Sequence, residues 1–123
     1  MITVETFRSI CLSFPGVIEL PHFELTSFRI GKKIFATVSQ EKERAMLKLS
    51  LVDQSVFCSF DKKIIYQVPG AWGKKGCTYF ELSKVKKEML KDALTQAYCN
   101  VAPRSVSQKL SKVPIMRVQF GRL

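Results

Sequence analysis

A chain of 123 residues has the length of one domain, and 46% apolar content with five prolines and six glycines excludes the low-complexity and disordered classes. No apolar run approaches the roughly 18 residues that span a bilayer, and the N-terminus opens on an amphipathic pattern where a signal peptide would need an apolar core. Net charge is +10 and unevenly placed: residues 1–30 carry net −1, residues 31–60 net +2, and residues 61–123 net +9. Clustered cations raise the local potential and draw polyanions, so an anionic partner is expected.

Val4, Phe7, Cys11 and Phe14 recur at helical spacing, with Thr3 placed to cap the first turn and Pro15-Gly16 to end the run. A loop containing Pro21 follows. Thr26–Ile30 and Ile34–Val38 are rich in β-formers and flank Gly31-Lys32-Lys33, which predicts a hairpin. Ala45, Leu47 and Leu49 alternate with Met46 and Lys48, as in a half-buried strand. Ser50 is placed to cap a short helix, and Ile64–Val68 and Cys77–Leu82 read as two more strands. Between them Pro69–Gly76 is a glycine-punctuated loop. Ser83 is the expected cap of a long final helix whose apolar stripe includes Val85, Leu90, Leu94 and Tyr98, with Lys84, Lys87 and Lys91 on its other side. Pro103 closes that helix. The domain is expected to span residues 1–110, with 111–123 a tail attached to it.

This order of elements predicts an α+β, two-layer sandwich: a mostly antiparallel sheet with the N- and C-terminal helices packed on one face.

The four cysteines are too far apart for a metal knuckle or a redox pair, and Cys11 and Cys99 are expected to be buried and reduced. A reducing, cytoplasmic compartment follows. His22 is the one histidine and has no recognisable partner; Glu19 and Glu24 beside it read as solvated carboxylates. No catalytic residue, metal site or cofactor is expected, and no phosphate-binding glycine motif occurs.

Phe14-Pro15-Gly16, the run Phe28–Ala36, Leu47-Lys48-Leu49, Pro69–Gly76, Ala97-Tyr98 and Val101-Ala102-Pro103-Arg104, in this order and spacing, resemble the MmcQ/YjbR family over about residues 4–110. The resemblance implies a frataxin-like (CyaY-like) fold and a DNA-binding protein with a double-wing motif. Cys77 departs from the pattern, standing where a bulky aromatic is more usual. Iron handling, which such a fold brings to mind, needs clustered carboxylates, and the first helix holds only Glu5.

Three lysine pairs, Lys32-Lys33, Lys62-Lys63 and Lys74-Lys75, fall in or beside predicted connections. Paired cations on projecting loops reach phosphates on both sides of a DNA groove; the alternative is that exposed lysines keep the chain soluble and blunt its sheet edges. Trp72 has two readings, an exposed indole that stacks on a base or, the commoner outcome, a ring folded back over the core. The expectation is a non-enzymatic module that binds DNA, chiefly duplex, weakly and without sequence preference through these residues. An adaptor for an acidic protein, or a dimerising one, is the alternative.

Overall fold

The Thr3 side-chain oxygen accepts a hydrogen bond from the Thr6 N–H at 3.0 Å and opens α1 (Val4–Leu12), so the predicted cap is in place. The computed structural model describes residues 2–103. The helix stops two residues before Phe14, whose ring leaves the helix axis and stacks on Tyr98 with centroids 4.7 Å apart.

The stretch around Pro21 is a strand, not the expected loop. β1 (Ile18–His22) pairs antiparallel with β2 (Leu25–Ile30), and the two are joined by Phe23-Glu24 alone. Ile18, Leu20 and His22 alternate with Glu19 and Pro21, a period-2 pattern too short to stand out beside a proline. Pro21 is tolerated because β1 lies at the edge of the sheet. β3 (Lys33–Ser39) follows the predicted turn, and Gly31 supplies its positive φ of 59°. A bulge shifts the register between Phe28 and Arg29, so that Phe35 and Ala36, adjacent in sequence, are both fully buried.

β4 (Arg44–Lys48) leads into α2 (Leu51–Cys58), where the Ser50 hydroxyl accepts from the Asp53 N–H at 3.1 Å as its position predicts. Then come β5 (Ile65–Gln67), a single helical turn α3 (Ala71–Lys74), β6 (Cys77–Glu81) and α4 (Lys87–Val101). Ser83 does not cap α4. Lys84 and Val85 donate their N–H groups to the Glu81 carbonyl in an intervening turn, and Lys86 stands at the cap position without a side-chain bond.

All five strand pairings are antiparallel, in the order β1-β2-β3-β4-β6-β5. One face of the sheet carries Phe28, Ala36, Val38, Ala45, Leu47 and Phe80, which pack against Phe7 and Cys11 of α1 and Leu90, Ala93, Leu94 and Tyr98 of α4. Each such large side chain contributes about 1.5–3 kcal/mol by leaving water. The fold is the expected α+β two-layer sandwich. All four cysteines are free; Cys11 is buried as predicted, but Cys99 is only half-buried, about 100° round α4 from the inward Tyr98. Residues beyond Pro103, including the tail 111–123 and the boundary at 110, lie outside the described residues.

Candidate nucleic-acid interface

Strand alternation sends every second side chain to the face opposite the helices. Register places Leu20, Ser27, Thr37, Met46, Tyr79 and Tyr66 in one row across that face, each strand contributing one residue. No described helix packs over it. Arg44 also points there. Its guanidinium lies 3.8 Å from the centroid of the Tyr79 ring and its Nη1 donates to the Tyr66 hydroxyl at 3.4 Å, while that hydroxyl donates to Glu81. Burial, and after it the Glu81 carboxylate, pushes the Tyr66 hydroxyl above its ordinary range, which keeps it a donor. Arg44 is thus committed within the protein.

Among the described residues, the lysines at the end of the sheet form no salt bridge. Because neighbours run antiparallel, the β2–β3 turn, the last residue of β4, the first of β6 and the end of β5 share one end of the sheet. Lys32 and Lys33 sit in or beside that turn, Lys48 ends β4 opposite Cys77, and Lys75 follows α3 immediately before β6. With Trp72 they line a groove of about 700 Å³ whose floor includes Ile34, Met46, Val68 and Tyr79. Its far side reaches His22 and Leu25, and Asn100 and Val101 from the end of α4 close one margin. No carboxylate is among the described residues that line it.

Lys62 and Lys63 are placed elsewhere. They precede β5, and the Glu81 N–H bonds to the Ile64 carbonyl at 2.9 Å, so this pair lies at the opposite end of the strands. A five-residue strand spans about 17 Å. Lys74 is exposed beside the groove but does not line it. Of the three predicted pairs, then, one and a half converge, joined by Lys48, which the sequence reading did not select. Its signal was present in the alternation of Leu47-Lys48-Leu49, which turns the lysine away from the core.

Trp72 does not fold back over the core; it is 67% exposed. The cause lies in its neighbours. The expected loop holds a helical turn whose inward side is Gly73. A Cβ there would come within 1.9 Å of the Val68 carbonyl oxygen, and one at Gly76 within 1.9 Å of the Leu49 carbonyl oxygen. Backbone pressed this closely onto backbone admits only glycine. With the turn fixed in that phase, Trp72 and Lys75, three residues apart, share the outward side, and the Lys75 ammonium lies 5.7 Å from the indole centroid. Leaving so large a ring in solvent forgoes about 2 kcal/mol or more of burial.

Buried Gln54 of α2 holds this turn. Its Nε2 donates to the Gly73 carbonyl at 2.8 Å, the Thr78 hydroxyl at 3.1 Å and the Cys77 carbonyl at 3.2 Å. Cys77 also lines the groove. Burial raises its thiol above the ordinary range although Lys48 and Lys75 pull it down, so the sulfur stays protonated at neutral pH. His22 meets the ring of Phe23 edge-on at 4.9 Å, and Glu19 is held by the Arg8 guanidinium at 2.8 Å. Among the described residues no three His, Cys, Asp or Glu side chains gather as a metal site. No helix among them is long and apolar enough to cross a membrane.

No curated protein sequence matches the chain. Among solved structures, the crystal structure of the Deinococcus radiodurans protein DR2400, a DUF419 domain, is similar with a TM-score of 0.73 and 22% identity over 90% of this chain and 89% of that one. At that identity the likeness speaks for the fold alone. The YjbR family model matches residues 12–100, from the end of α1 through almost all of α4 and across every strand that builds the groove. With the match covering well over half of its length, the chain belongs to the YjbR family.

Proposed function

We propose that this protein is a non-enzymatic DNA-binding module that holds phosphates, weakly and without sequence preference, along the lysine-rich end of the sheet face opposite the helices. The observation that carries the reading is the convergence of Lys32, Lys33, Lys48 and Lys75 on one groove with no carboxylate among the described residues that line it. Cations so placed release counterions from a polyanion, which is the main source of non-specific affinity. They reach phosphates without reading base edges. The lone His22 and the protonated thiols of Cys11 and Cys77 support a role without catalysis.

A labelled duplex followed by fluorescence anisotropy through a salt series tests this. The parent is expected to bind with a dissociation constant on the order of 1 µM to 0.1 mM, and each phosphate contact adds about −0.9 to the logarithmic salt slope. Replacing Lys32 and Lys33 by alanine is expected to flatten the slope by up to about two units, whereas Lys62→Ala with Lys63→Ala leaves it unchanged. Equal effects of the two double variants would detach binding from the groove. Absence of binding at low salt would overturn the reading and leave the surface to an acidic protein partner.

A further inference from the structure

Resting on the DNA-binding reading, we infer that the groove seats unpaired nucleotides, with a base stacked on Trp72 and its flanking phosphates on Lys75 and Lys48, so that single strands are preferred to duplex. The ring is 67% exposed, and it is presented rather than loose. Gly73 is pressed onto the Val68 carbonyl, and Gln54 holds the Gly73 carbonyl at 2.8 Å from beneath. A platform fixed before the ligand arrives loses little freedom on binding.

The chemistry around the ring suits a nucleotide and not a phosphate alone. Lys75 lies 5.7 Å from the indole centroid, within reach of a phosphate next to a stacked base. The groove between them and the Lys32-Lys33 turn has an apolar floor at Ile34, Met46 and Val68, which would gain nothing from a bare anion. Its volume of about 700 Å³ lies within the roughly 300–1,000 Å³ of ligand clefts, and a duplex, whose base faces are hidden in the stack, cannot use it without unstacking. Stacking on an aromatic ring tolerates any base, in keeping with binding that lacks sequence preference.

Trp72 is the one tryptophan of the chain, so its emission reports the site directly. Titration at low salt would compare a thymidine oligomer of about 12 nucleotides, a duplex of equal length and an abasic deoxyribose-phosphate oligomer. The expected result is quenching by the thymidine oligomer and affinity about tenfold above that for the duplex and the abasic strand. Trp72→Ala should bring single-strand affinity down to the level of the duplex, and Trp72→Phe should restore part of the difference, with circular dichroism matching the parent in both. Equal binding of thymidine and abasic oligomers, or a preference that survives in Trp72→Ala, would overturn the inference while leaving the phosphate reading intact. No binding of any of the three would overturn both.

Discussion

Phe23 is 94% exposed at a backbone φ of 59°, a left-handed conformation that side chains with a Cβ adopt at a cost of about 1–2 kcal/mol. The two-residue connection between β1 and β2 imposes it, since tight hairpin turns need positive φ in their centre. Asparagine or glycine normally stands there. Phe23→Gly is therefore expected to leave stability unchanged or raise it by up to about 1 kcal/mol in a denaturant titration, the strain relieved being offset by the edge-on contact with His22. A loss beyond about 1 kcal/mol would mean that the ring supports the hairpin. Neither this strain nor the exposure of Trp72 was legible in the sequence. A phenylalanine gives no sign of a turn, and the direction of Trp72 depends on which side of α3 meets Val68 and Leu49, a contact made across the fold. Gly73 and Gly76, three residues apart and each one place after Trp72 and Lys75, did hold the pattern once the segment is seen as a helical turn.

At the scale of elements, local chemistry was the most readable. Thr3 and Ser50 cap α1 and α2 because each is a small hydroxyl residue standing just before an apolar period, and the Gly31 turn joins two runs of β-formers. Ser83 satisfied the same rule and failed, because Lys84 and Val85 turn back on the Glu81 carbonyl before α4 begins. Gln54 gave no signal at all, since a glutamine within a short helix reads as surface. Buried, it ties α2 to α3 and β6 through three acceptors. Gln54→Leu is expected to cost about 1–3 kcal/mol, because the Gly73 and Cys77 carbonyls lose their shared donor. Chemical denaturation measures that cost. The Trp72 emission spectrum should shift in the same variant if α3 moves; an unchanged stability would show that other groups hold the turn.

At the scale of the molecule, twenty basic and ten acidic side chains leave a self-repelling charge, and the Arg8–Glu19 pair is exposed and worth little. Raising salt from about 0.01 M to about 0.15 M shortens the Debye length from about 30 Å to about 8 Å and screens that repulsion. The thermal midpoint is accordingly expected to rise over this range in the absence of nucleic acid; a fall would show that native attractions outweigh the repulsion. Net charge and its bias toward the C-terminal half were plain in the sequence, but their convergence was not. Which lysines meet depends on β6 entering the sheet beside β4 with β5 outside it, an order that sets Lys62-Lys63 at the wrong end of the strands and brings Lys48 to the right one. Among the described residues the same order leaves β1 and β5 as the borders of the sheet, one interrupted by Pro21 and the other only three residues long. A protein that gathers on a polyanion meets its own copies at local concentrations far above those in bulk, where open strand borders would zip neighbours into fibres. Under the proposed function, a border strand lacking one donor and a border strand too short to template another would let copies crowd along a nucleic acid and still come apart when salt or a competitor releases them.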